Sequence, residues 1–205
     1  MKLNAEVDTA TAARYRVLGY PTVLVLNEKG EEIDRVVGYY RAPEFMSQVE
    51  DYLAGRNTLA SMIAEEPARK DDAEFVYKLG DRFADHGRFD EARIRLLRFV
   101  ELDPKNRSGQ SDDALYRLSR MARKDKDYAT ARKYAQAILD RFKGSDMMKP
   151  AFLQVGINLK KEGRLSKARA IFVDYFTRFP DDEDAPWARE QADTLAAQLA
   201  RPAGA

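Results

Sequence analysis

"VYKLGDRFADHGRFDEARIRLLRFVELDP", residues 76–104, decides how the rest of the chain is read. Val76-x-x-Leu79-Gly80-x-x-Phe83 precedes a His-Gly-Arg turn, and Phe89-x-x-Ala92-Arg93 follows it. The second half recurs as Tyr128-x-x-Ala131-Arg132 and Leu165-x-x-Ala168-Arg169, at spacings of 39 and 37 residues. The first half recurs as Leu115-x-x-Leu118-Ser119-x-x-Ala122 and Phe152-x-x-Val155-Gly156-x-x-Leu159. The turns between halves read "HGR", "KDKD" and "EGR", and Pro104 and Pro180 close two of the three pairs. Self-similarity at such a period predicts stacked helix pairs. Small residues at 80, 119 and 156, and alanines at 92, 131 and 168, let neighbouring helices approach closely. The large apolar residues fill the space between them.

These three pairs resemble the tetratricopeptide repeat family over about residues 73–180. The first and third pairs match its pattern well. The second is degenerate, with Ala122 in an aromatic place and no closing Pro, and the inserts "KNRSGQS" and "KGSDM" lengthen the period. The resemblance implies a helical-repeat solenoid that presents a concave surface to a protein partner. Carried over residue by residue, that surface comprises Tyr77, Asp81, Tyr116, Arg120, Arg123, Lys124, Asn158, Lys160 and Lys161. Its second and third pairs are basic with Tyr, which suits an acidic extended segment. The family's clamp for C-terminal carboxylates is not reproduced. "DDEDAPWAREQADTLAAQLA" reads as a capping helix, with Asp184 as its cap and Ala188, Ala192, Leu195 and Leu199 as its buried stripe. Trp187 is expected to pack on the third pair, and "RPAGA" to fray.

The start of the chain is different. Residues 9–16 read as a short helix, 23–26 (Val-Leu-Val-Leu) as a strand covered on both faces, "NEKG" as a turn and 31–38 as an alternating edge strand. Pro43 opens a helix whose stripe is Phe45, Val49, Tyr52 and Leu53. Thr58 caps a short helix through Ala64, and "PARKDD" reads as a linker. Domains are therefore expected at 1–55, 56–72 and 73–200.

Residues 2–54 resemble the C-terminal half of a thioredoxin domain, through "KLNAEVD" leaving a strand, "AARYRVLGYPT", the hairpin and "RVVGYYRAPEFMSQVEDYL". That resemblance implies a peptide-binding groove at Tyr20, Pro21 and Thr22, with a cis bond before Pro21. The family's first strands and its Cys-x-x-Cys helix have no counterpart. Two readings fit: a fragment whose dithiol half lies upstream of Met1, or a degenerate half-domain retained as a brace or completed by another chain. The overall expectation is a mainly α chain with a partial α/β section at its start. Self-association through the exposed hairpin edge is a further expectation.

Composition narrows the function. The chain has 35 Lys and Arg against 34 Asp and Glu, and a net charge of +1. That balance gives no case for nucleic acid. No apolar run reaches the length of a membrane span. Localisation stays open: cytoplasmic if Met1 is the natural start, exported if a signal peptide precedes it. With no Cys, the chain cannot carry out thiol chemistry. The single His, His86, is expected to be a solvated turn residue without metal or catalytic partners. "PDDEDAP" reads as helix-capping acids, not a calcium loop. No cofactor and no enzymatic activity are expected.

Overall fold

The computed structural model describes residues 3, 4 and 7–200. Within them the elements are α1 Thr9–Arg14, β1 Thr22–Leu26, β2 Glu32–Val37, α2 Ala42–Leu53, α3 Leu59–Arg69, α4 Ala73–Asp85, α5 Phe89–Leu102, α6 Ser111–Lys124, α7 Tyr128–Arg141, α8 Met148–Lys161, α9 Leu165–Arg178 and α10 Ala185–Ala200. They divide into two compact units, Met1–Leu102 and Asp103–Ala205. The N-terminal unit therefore joins the hairpin section to the first helix pair. The expected fraying of "RPAGA" lies outside the described residues, as do residues 2, 5 and 6 of "KLNAEVD"; its described residues 3, 4, 7 and 8 are not in a strand.

In the N-terminal unit β1 and β2 form a two-stranded antiparallel sheet, pairing Thr22 with Val37 and Val25 with Asp34. Val25, Val36 and Tyr52 are its buried cluster, flanked by Ile33, Phe45 and Val49. Two expectations fail here. β1 is not covered on both faces, because Val23 and Leu26 are exposed. β2 does not alternate simply, because Asp34, Arg35 and Val36 are consecutive and all buried. Leu53 also leaves the predicted α2 stripe for solvent.

Thr58 caps α3 by accepting the Ser61 N–H at 3.1 Å. The helix does not stop at Ala64 but continues through Pro67 to Arg69. Proline removes one backbone N–H, and in the last turn that costs little of the helix beyond it. Asp72 caps α4 through the Phe75 N–H. Leu79, Phe83, Ala92, Leu96 and Phe99 then fill the space between α4 and α5, all at 0–1% exposure.

The C-terminal unit stacks α6/α7, α8/α9 and α10. Ala114 and Leu118, Ala131 and Ile138, Phe172 and Tyr175, and Ala188 and Leu195 are fully enclosed. Each helix pair turns on a left-handed residue at the equivalent place: Gly87 at φ +70°, Lys126 at +63° and Gly163 at +76°. This is why two of the three turns carry Gly. The small positions serve close approach. A Cβ at Gly156 would lie 2.7 Å from the Phe172 ring, and one at Gly80 would lie 3.1 Å from Leu96. Ser119 adds a bond, its hydroxyl donating to the Ala131 carbonyl at 2.7 Å. In α10 the stripe of Ala188, Ala192 and Leu195 is buried, but Leu199, in the last turn, is exposed. Trp187 meets the Phe172 ring edge-to-face at 5.6 Å, as expected.

Candidate functional site

Two regions concentrate polar chemistry, one in each unit. The first lies where β2 meets α3 and α4. Asp34 is fully buried. Its carboxylate accepts the N–H of Arg35 at 2.7 Å and of Leu59 at 2.5 Å. Arg82 stands 3.1 Å away and His86 Nε2 also 3.1 Å. Burial pushes the Asp34 carboxyl up, but the His86 hydrogen bond, the Arg82 charge and the two backbone N–H groups outweigh it and hold it below its ordinary range. An ionised carboxylate only accepts, so Nε2 of His86 carries the proton.

Arg35, also buried, grips Glu32 through Nε at 2.6 Å and reaches the carbonyls of Tyr15, Arg16 and Asp85. Arg82 donates to the Arg35 and Asn57 carbonyls and lies over the Tyr52 ring at 4.6 Å. Burial pushes the Tyr52 phenol up to about 12. His86 is thus no solvated turn residue, since its side chain is 14% exposed and paired to β2. The available signal was the adjacent pair Asp34-Arg35. Neighbours in a strand face opposite sides, so one of two adjacent charges must meet covered surface. This knot is a structural clamp: every charged group in it is spent on another, and Asp34 offers nothing to solvent. No group of His, Asp and Glu among the described residues is arranged to hold a metal.

The second region is the face of α6 and α8 in the C-terminal unit. Arg120 and Lys161 are exposed, and neither has a partner among the described residues. Tyr116 and Arg123 are half-buried and Lys124 is exposed. Lys160 is half-buried and donates to Gln191 of α10 at 2.8 Å. Asn158 departs from the expected surface. It is fully buried, and neither atom of its amide has a hydrogen-bond partner among the described residues; nor has Gln154 Oε1, one turn earlier. Tyr77 and Asp81 belong to the N-terminal unit, where the half-buried Tyr77 packs its ring 4.9 Å from Phe99. Tyr20 is 68% exposed, the Tyr20–Pro21 bond is cis, and Thr22 turns its hydroxyl back onto the Gly19 carbonyl at 2.8 Å.

No curated protein matches the chain. A solved structure described as "MamA RS-1 ArsTM double mutant" is similar at 17% identity and a TM-score of 0.49, over 78% of this chain and 97% of that one. Residues 77–146 match the family described as tetratricopeptide repeat. That span includes α5, α6 and α7 whole and most of α4, so the first two of the helix pairs read from the sequence match tetratricopeptide repeats.

Proposed function

We propose that the chain is a non-enzymatic protein-binding module whose basic α6/α8 face takes an acidic, extended segment of a partner. The observation that carries this reading is the exposure of Arg120 and Lys161 with no intramolecular partner. Arg35, Arg82 and Arg95, by contrast, are each paired to an acid within the N-terminal unit. Unspent cations on a rigid helical face recruit anionic segments and steer their approach. The test is a nuclear magnetic resonance titration of the full chain with an oligoglutamate peptide. Shift changes should concentrate on Tyr116, Arg120, Arg123, Lys160 and Lys161. Changes confined to other helices, or none, contradict the reading.

The hairpin section is read as the closing part of a thioredoxin-like fold, in which Tyr20, Pro21 and Thr22 would face a peptide. It is supported by the order α1, hairpin, α2. A second reading concerns its edge. β1 pairs only with β2 among the described residues, and Val23 and Leu26 are exposed along it. Such an edge is a template for another strand, supplied by a longer parent with the dithiol half or by a second copy. Light scattering separates these sources: a concentration-dependent dimer abolished by Leu24→Pro supports the second copy, and a monomer at all concentrations removes it.

A further inference from the structure

The C-terminal unit has a second surface that the α6/α8 reading does not use. A groove of about 350 Å³ runs between α7 and α9 with α8 as its floor. Val155 and Leu159, both buried, lie at its bottom, and the half-buried Ile171 and exposed Ala170 form one wall. On α8, successive residues are turned by about 100°. Val155 and Leu159 therefore point away from Lys161, on the opposite side of the helix.

The rim of this groove is cationic: Arg132 from α7, Arg164 at the start of α9 and Lys167 within it. One acid, Glu162, stands among them. It accepts Arg132 Nε at 2.8 Å and Arg164 at 3.4 Å. Burial pushes the Glu162 carboxyl up, but those two arginines outweigh it and keep it ionised. Glu162 thus orients Arg132 through Nε and leaves both terminal amino groups of the guanidinium without a partner among the described residues. Lys167 is exposed and also without one. Three cations against one carboxylate leave the rim net positive around an apolar floor.

We infer that this groove is a second docking site, for a short acidic peptide segment that lays an aliphatic side chain against Ala170 and Ile171, above Val155 and Leu159, while a flanking Asp or Glu meets Arg132 and Lys167. Charge complementarity selects the carboxylates, and the pre-oriented guanidinium gives them a charge-assisted bond. The volume lies at the small end of ligand pockets, about 300–1,000 Å³, and suits one anchoring side chain. A nucleic acid is disfavoured because no aromatic ring lines the groove to stack on a base.

The experiment is selection of random short peptides displayed on phage against the full chain. Each enriched peptide is then synthesised and its affinity measured for the native chain and three variants. Lys167→Glu reverses the rim charge, Ala170→Tyr fills the groove from an exposed position, and Arg120→Glu alters only the α6 face. Melting temperatures confirm that the variants fold. The expected result is a set of peptides with Asp or Glu beside Leu, Ile, Val or Met, weakened about tenfold by each groove variant and unaffected by Arg120→Glu. Peptides that lack acids, or that bind the groove variants as well as the native chain, overturn the inference. Peptides weakened only by Arg120→Glu also overturn it while leaving the α6/α8 reading in place.

Discussion

His86 and Asp34 show how one side chain closes a buried charge balance. Asp34 has no access to water, so each partner removed leaves an acceptor unpaired. His86→Ala should cost about 1–3 kcal/mol in urea unfolding, the usual penalty for an unsatisfied buried group. Asp34→Ala should cost more, about 3–5 kcal/mol, because Arg82 and the Leu59 N–H then lose their charged partner. A neutral outcome for both would mean that the knot contributes no stability. Gly156 poses a different question. Its added methyl would meet a ring of Phe172 that is itself fully buried and cannot yield. Gly156→Ala should therefore destabilise by about 1–3 kcal/mol through overpacking, despite the better helix propensity of Ala. At Gly80 the added Cβ would lie 3.1 Å from Leu96 and 3.2 Å from Arg95 Cβ, a smaller overlap, so Gly80→Ala should destabilise less than Gly156→Ala. Thermal unfolding orders the two. The small positions were legible from the sequence because they repeat at a fixed period. His86 was not, because its partners lie 52 and 54 positions away in β2 and no local pattern links them.

At the scale of elements, the turn between α6 and α7 is the informative one. Lys126 holds the left-handed conformation that Gly87 and Gly163 hold in the other pairs. A non-glycine residue there is strained by about 1–2 kcal/mol. Part of that gain is lost to the freer unfolded chain, so Lys126→Gly should stabilise by roughly 0.5–1 kcal/mol. A loss of stability on calorimetry would show that the Lys126 side chain contributes something the turn needs. The α9–α10 connection offers a pH handle. Lys149 and the Tyr175 hydroxyl bind Asp182 at 2.6 and 2.5 Å and hold its carboxyl down from 3.8 to about 2. A depressed folded value stabilises above the unfolded one and is lost as the pH falls through the folded one. Urea midpoints should thus fall between pH 3.8 and about 2, and Asp182→Asn should flatten that fall. Equal slopes in the two proteins would remove Asp182 from the acid limb. Helix existence was readable throughout, because 3.6-residue periodicity survives burial on one side. Helix ends were less so: α3 runs past its expected stop because Pro67 sits where a helix tolerates it. Strand exposure was misread because an apolar run does not show which layers cover it, and Val23 and Leu26 of β1 meet solvent.

At the scale of the whole molecule, near-neutral net charge conceals its distribution. Many cations are paired inside each unit, while Arg120 and Lys161 on α6 and α8 and Lys167 at the α7–α9 groove have no partner among the described residues. Sequence carry-over named Tyr116, Arg120, Arg123, Lys124, Asn158, Lys160 and Lys161 for the proposed face. It did not foresee the burial of Asn158, since helical phase alone does not show which side of α8 its neighbours enclose. The groove was illegible because its cations come from α7 and α9 and only the tertiary structure brings them together. The claim that an acidic segment docks on the repeats is tested most directly by the affinity of oligoglutamate for the full chain. It should be measured by calorimetry across salt concentrations, for the native protein and for the Arg120→Glu/Lys161→Glu double variant. The account predicts binding that weakens as salt rises, and a loss of about tenfold or more in the double variant with a flatter salt dependence. Equal affinity for the two proteins, or no binding by the native chain, would contradict it.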